Sequence, residues 1–224
     1  MPTEKSCRPP EFSAAAPHSA HVAPQDDETS LTETNLFSYY LIHLFTHFRL
    51  LNERHNSPEK RKGKNMFLKP DYDLKNIFEI DLESLKSQGI KTLLFDLDST
   101  LMGSKTGFYT DEVLAWLEKV RRDFFVGVVS NNNNPVYMEK VRACTDFPIV
   151  FEAHKPDIKV AQDFMAEHGI QAETSCFVGD RPLTDVLCGK RLGCKTILVD
   201  SITADIEKPI VRFARKLERC CIRK

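Results

Sequence analysis

From Met66 onward, runs that are apolar at successive positions alternate with runs that are apolar only every third or fourth position. IKTLLFDLD (90–98), FFVGVVS (124–130), PIVFEA (148–153), CFVGD (176–180) and KTILVD (195–200) belong to the first kind. Strands buried on both faces read this way, so five strands are predicted. The second kind predicts helices. LESLKSQ is one, capped by Asp81 and stopped by Gly89. DEVLAWLEKVRR (111–122) is another, and PVYMEKVRACT (135–145) carries Pro in its first turn. Two more run from Pro156 to about His168, ended by Gly169, and through TDVLCGKRLG (184–193). Strand–helix alternation with handed crossovers predicts an α/β fold: a doubly wound parallel sheet with helices on both faces.

The pattern differs at both ends. Residues 1–34 are rich in Pro, Ser, Thr, Ala and acids, with too little apolar surface to offset ordering entropy, which predicts disorder. In NLFSYYLIHLFTHFRLL, Phe37, Tyr40, Leu41, Leu44, Phe45, Phe48 and Leu51 share one helical stripe. A basic linker with Arg54, Lys60, Arg61, Lys62 and Lys64 completes the segment 35–65. Such a segment suits a membrane interface, a helix packed on the domain, or a leader preceding an alternative start at Met66. A compact domain is expected over 66–224. It closes with the basic helix KPIVRFARKLERCCIRK (208–224), in which Ile210, Phe213 and Leu217 lie alongside Lys208, Arg212, Arg215, Lys216, Arg219, Arg223 and Lys224.

Composition narrows the functional classes. The 224 residues carry a formal net charge of -1, which gives no global reason to expect nucleic acid as a partner. No Gly-rich dinucleotide loop follows the first strand, and no basic stripe interleaved with aromatics appears. No apolar run reaches the roughly 18 residues of a spanning helix, and the first thirty residues fit neither a secretory nor a transit signal. Seven cysteines without CxxC spacing read as reduced thiols, which points to the cytoplasm.

Candidate chemistry gathers at the carboxyl ends of the predicted strands, where open parallel sheets bind ligands. The first strand ends in Asp96 and Asp98; the second in Ser130, followed by Asn131 and Asn132. Lys155 lies just past the third, and GDRPLTD brings Asp180 and Asp185 to the end of the fourth. Clustered carboxylates beside an ammonium and a hydroxyl suit a hard dication, above all Mg2+, together with a dianionic phosphate. One carboxylate can then attack phosphorus, and the second can shuttle protons to the leaving alkoxide and from water. Lys155 and Ser130 would hold the equatorial phosphoryl oxygens.

These segments resemble the haloacid dehalogenase superfamily of phosphatases. DLDST (Asp96 to Thr100), Ser130, Lys155 and GDRPLTD (Gly179 to Asp185) match its four motifs in order. The resemblance implies a Rossmann-like core, Asp96 as nucleophile and Asp98 as general acid/base. Asp96, Asp180 and the backbone carbonyl of Asp98 would ligate Mg2+, with Thr100, Asn131 and Asp185 in support. The intervals after Thr100 and between Ser130 and Lys155 leave no room for a cap domain, which implies the capless subclass.

Within it, KPDYDLKNIFEIDLESLKSQGIKTLLFDLDSTL, SNNN, AHKP, GDRPLTDVLCGKRLG and RFARKLER are similar to the phosphatidylglycerophosphate phosphatases, over about Phe67 to Arg219. Two positions depart from that family's usual pattern: Ser99 replaces Asn, and Arg181 replaces a neutral polar residue. The implied substrate is a lipid phosphate reached by peripheral contact of the basic last helix with the inner face of an anionic membrane. A small soluble phosphomonoester, such as a sugar or nucleotide phosphate, is the alternative. A non-catalytic interaction module would be expected to lack one of the four catalytic groups, and all are present.

Overall fold

In the computed structural model, which describes residues 69–202 and 218–219, six short strands form one sheet. In chain order they are β1 (Tyr72–Leu74), β2 (Thr92–Phe95), β3 (Phe125–Val129), β4 (Ile149–Val150), β5 (Ser175–Gly179) and β6 (Lys195–Val199). Every pairing is parallel, and the order across the sheet is β1-β6-β5-β2-β3-β4. The chain runs outward from β2 through β3 to β4, then returns to β5 on the other side of β2. That reversal makes the carboxyl end of β2 the topological switch point, the expected place for a ligand.

Among the described residues, five α-helices are built between the strands: α1 (Leu82–Ser87), α2 (Asp111–Val120), α3 (Pro135–Cys144), α4 (Lys159–Glu167) and α5 (Leu187–Leu192). Their starts follow local chemistry. The Asp81 side chain accepts from the Ser84 N–H, Thr110 from Val113, and Asn134 from Tyr137, each satisfying an otherwise orphaned donor. Gly193, at φ 87°, closes α5 in a left-handed conformation that suits glycine.

Strand alternation sends side chains to two cores. Leu93, Phe95, Val126, Val128 and Val178 belong to the same core as Leu85, Trp116, Leu117 and Val141 of α1, α2 and α3. On the opposite face Leu94, Val129 and Phe177 belong with Ala161, Phe164 and Met165 of α4 and Cys188 of α5. Each large apolar side chain so buried contributes about 1.5–3 kcal/mol, which makes the sheet a firm platform for the loops at its edge. The doubly wound, Rossmann-like fold with helices on both faces is therefore observed.

Several boundaries differ from the sequence reading. β1 is a sixth strand, held on the sheet edge by β6. The strand expected over 148–153 shortens to β4, because Glu152 and His154 adopt φ 53° and leave extended geometry. The helix expected from Pro156 begins at Lys159, after a turn in which the Asp157 N–H donates to the His154 carbonyl. The helix expected over 184–193 opens with a wide π turn, Pro182–Val186, before α5. The N-terminal segments 1–34 and 35–65 lie outside the described residues, as does 208–224 apart from Glu218 and Arg219.

Candidate active site

Past β2 the chain folds into a tight loop. The Asp96 N–H still donates to the Val178 carbonyl, as in a strand, but the Leu97 carbonyl then accepts from Thr100, Leu101 and Met102. Ser99 takes φ 70° inside this turn. The turn leaves Asp96 buried and Asp98 half-buried at the sheet edge. Three donors hold the Asp98 carboxylate: Oδ1 accepts from the Lys105 N–H (2.9 Å) and the Tyr137 hydroxyl (2.8 Å), and Oδ2 from Asn132 Nδ2 (3.1 Å).

Lys155 is the hub. Its Nζ donates to Asp96 Oδ1 at 2.5 Å and to Asp185 Oδ1 at 2.8 Å, with almost no side-chain exposure. Its backbone is fixed by Asn131, whose Oδ1 accepts from the Lys155 N–H (2.7 Å) and whose Nδ2 donates to the Lys155 carbonyl (3.0 Å). Asn131 thus acts on the lysine's placement. Ser130, fully buried at the end of β3, accepts the Asn132 N–H on its Oγ at 3.1 Å.

β5 delivers the remaining acids. Asp180 is buried immediately past Gly179, and the π turn brings Asp185 back so that its Oδ2 accepts from the Arg181 N–H at 3.0 Å. Ligand oxygens of Asp96, Asp180 and Asp185 all lie within 4.8 Å of one another. An all-carboxylate oxygen trio suits a hard dication such as Mg2+.

The electrostatics follow from burial. Desolvation pushes the Asp96 carboxyl up to about 6, with Asp185 and Asp98 adding in the same direction and Lys155 opposing. Burial alone would lower the Lys155 ammonium, but Asp185 and Asp96 outweigh it and raise the group above its ordinary range, so the lysine stays charged. Burial, and then the Asp98 charge, hold the Tyr137 phenol above its ordinary range.

Of the residues singled out from sequence, Asp96, Lys155, Asp180 and Asp185 meet in one buried cluster, and Asn131 braces it. The Asp98 carboxylate is not one of the acid trio. Thr100 is fully buried, and its Oγ1 has no hydrogen-bond partner among the described residues. Tyr137 and Asn132 were not assigned roles from sequence; they reach Asp98 across 39 and 34 residues of chain, which no local spacing reveals. Arg181 pairs with the buried Glu218. Arg219 pairs with Asp73 (3.1 Å) and Asp200 (2.8 Å), so this arginine of the basic tail is engaged with the domain.

No helix lies between β2 and α2, and only α3 lies between β3 and β4, so neither interval carries a cap. No helix among the described residues is long and apolar enough to cross a membrane.

Residues 152–208 match the HAD-hydrolase-like family model. The chain is 33% identical over 156 residues to the probable phosphatase YqeG of Bacillus subtilis, an alignment spanning 70% of this chain and 90% of that protein. It is 25% identical over 167 residues to the chloroplastic/mitochondrial phosphatidylglycerophosphate phosphatase 1 of Arabidopsis thaliana, spanning 70% of this chain and about half (48%) of that relative. Among solved structures, a predicted HAD-like family hydrolase from Porphyromonas gingivalis aligns at 16% identity with a TM-score of 0.42, covering 57% of this chain and 98% of that one.

Proposed function

The chain belongs to the haloacid dehalogenase superfamily of phosphatases, and on that premise we propose that it removes the terminal phosphate of phosphatidylglycerophosphate through an aspartyl-phosphate intermediate on Asp96. The observation that carries the mechanism is Lys155 bonded to both Asp96 and Asp185 at the switch point, in a cluster where ligand oxygens of Asp96, Asp180 and Asp185 lie within 4.8 Å of one another. A carboxylate fixed by a buried ammonium is oriented for attack, and that ammonium also faces the charge of an arriving phosphate.

Asp96, Asp180 and Asp185 would hold Mg2+, with the Asp98 carbonyl as a further ligand by family resemblance. When bound, the ion supplies positive charge that offsets the repulsion between acids and phosphate dianion. The chain's own groups do the rest. An Asp96 oxygen forms a bond to phosphorus as the bond to the leaving alkoxide breaks, and protonated Asp98 gives that alkoxide its proton. Asp98 then takes a proton from water as the water oxygen bonds to phosphorus, and the bond to Asp96 breaks to release inorganic phosphate. Ser130 and Lys155 hold the equatorial oxygens, and Asn131 keeps Lys155 in place.

The lipid assignment is supported by the capless edge and by the relative named as a phosphatidylglycerophosphate phosphatase. An uncapped site admits a phosphate presented on a membrane surface. In this reading the enzyme works in the cytoplasm, peripherally on the inner membrane face, with the basic residues of 208–224 other than Arg219 as the anionic-lipid contact.

The test is phosphate release from phosphatidylglycerophosphate vesicles by wild type and Asp96→Asn, with Mg2+ and with chelator. Turnover is expected only for wild type with metal. Substantial turnover by Asp96→Asn overturns the mechanism, and a many-fold preference for sugar or nucleotide phosphates over vesicles overturns the lipid assignment alone.

A further inference from the structure

Three hydrogen bonds reach the Asp98 carboxylate, and their distribution is uneven. Oδ1 takes two donors, the Lys105 N–H and the Tyr137 hydroxyl, whereas Oδ2 takes one, from Asn132. A carboxylate offers roughly two lone-pair sites per oxygen, so Oδ1 is filled and Oδ2 keeps one site open. From this geometry we propose that Tyr137 and Asn132 are positioning residues for leaving-group protonation: they lock Asp98 so that Oδ2 is the oxygen that carries the proton to the departing alkoxide. The proposal rests on the acid/base role given to Asp98 above.

Both partners are themselves built into place. Asn132 Oδ1 accepts from the Asn134 N–H at 3.0 Å, which fixes the amide so that its Nδ2 end meets Asp98. The Asn132 N–H donates to Ser130 Oγ, and its carbonyl accepts from the Glu152 N–H, so the residue is tied to the ends of β3 and β4. Tyr137 stands in the first turn of α3, where its N–H meets the capping Asn134 Oδ1 at 3.0 Å. Its ring is buried in the core that holds Tyr109 and Val141, and its hydroxyl donates to Asp98 and lies 4.0 Å from Met102 Sδ. The phenol is held protonated by burial and by the carboxylate beside it, so it remains a donor.

The third donor, the Lys105 N–H, comes from a loop pinned to α3: Lys140 Nζ donates to the Thr106 carbonyl at 2.6 Å. Three elements thus converge on one carboxylate: the loop, the residues after β3, and α3. A side chain held from three directions pre-organises proton transfer in the way catalysis needs. Removing one support leaves the proton donor present but misaimed. The resulting loss should depend on how much the leaving group needs a proton.

The experiment compares kcat/KM for an alkyl phosphate, glycerol 3-phosphate, with an aryl phosphate, p-nitrophenyl phosphate, in Mg2+. That ratio of constants covers only the steps up to leaving-group departure, and p-nitrophenolate departs without a proton. Tyr137→Phe and Asn132→Ala are each expected to lower the alkyl value at least tenfold more than the aryl value. Adding Tyr137→Phe to Asp98→Asn is expected to change the alkyl value by less than twofold, because its effect passes through Asp98.

Equal losses on both substrates in both variants, or no loss in either, overturn the proposal. So does a further tenfold alkyl loss in the Asp98→Asn background. An Asp98→Asn enzyme that loses alkyl and aryl hydrolysis equally would refute the acid role itself, an outcome separate from the failure of Tyr137 and Asn132 as its positioners.

Discussion

Gly179 and Asp185 touch so closely that a Cβ on the glycine would lie 2.4 Å from the Cβ of the aspartate and 2.5 Å from its Oδ2. No real Cβ tolerates such a contact, and the obstructing atoms belong to a short side chain anchored at both oxygens, to Lys155 and to the Arg181 N–H. The glycine therefore exists so that the π turn can fold back over the end of β5 and set Asp185 into the acid cluster.

Gly179→Ala should push that turn outward. Overpacking of this kind destabilises by about 1–3 kcal/mol, and a shift of about 1 Å at catalytic groups is enough for roughly a 100-fold loss of rate. Urea unfolding and kcat measured on the same preparation check both effects. Wild-type kcat in Gly179→Ala would show that Asp185 does not need its observed position.

Lys155→Met should be strongly destabilising, because it leaves Asp96 and Asp185 buried without their cation. Removing one partner from a buried, hydrogen-bonded ion pair typically costs about 3–5 kcal/mol. The penalty should shrink on acidification. Asp96 is already pushed up to about 6 by burial, and loss of the opposing ammonium raises it further. For a carboxyl whose folded pKa lies above its unfolded value, the stabilisation is present below the unfolded pKa and is lost as pH rises through the folded one. In chelator, urea unfolding of Lys155→Met should therefore show a smaller deficit against wild type at pH 5 than at pH 7. An equal deficit at both values would mean that the buried acids are not the source of the instability.

Much of this site was readable in advance. Asp96 and Asp180 each end an apolar run and Lys155 follows one, and parallel packing then brings strand ends to one edge whatever the details of the helices, whereas Asp185 reaches that edge through the π turn. Edge strand β1 was not readable: only three residues long, it is defined by its register with Ile197 to Val199 rather than by its own pattern. The shortening of β4 was hidden for a similar reason, since Phe151 and Ala153 are buried and read as strand while Glu152 and His154 turn the backbone to φ 53°. The partners of Asp98 were the least legible. A tyrosine on the apolar face of α3 reads as core, which it is, and only the tertiary fold shows where its hydroxyl emerges.

Metal binding should titrate with Asp96. A carboxyl pushed up to about 6 must lose its proton before it can ligate a cation, so below that pH ion and proton compete. Apparent Mg2+ affinity of the metal-free protein should weaken about tenfold for each pH unit below 6 and level off above it, with close to one proton released per ion at pH 5. Titration calorimetry in buffers of different ionisation enthalpy measures both quantities. An affinity unchanged between pH 5 and 7 would remove Asp96 from the ligand set.

Thr100 separates what the fold needs from what the site needs. Its hydroxyl is fully buried, with no hydrogen-bond partner among the described residues, a state that costs about 1–3 kcal/mol relative to a satisfied or absent group. Valine has nearly the same shape without the hydroxyl, so Thr100→Val should raise stability by about 1 kcal/mol, or about 2–4 °C in Tm for a domain of this size. In the same variant phosphatase activity should fall, because Thr100 lies within the turn that carries Asp96 and Asp98. Calorimetric melting and phosphate release on one sample give both answers. A variant that loses more than about 1 kcal/mol would show that the hydroxyl does have a stabilising partner in solution, and one that gains stability with full activity would remove Thr100 from the site.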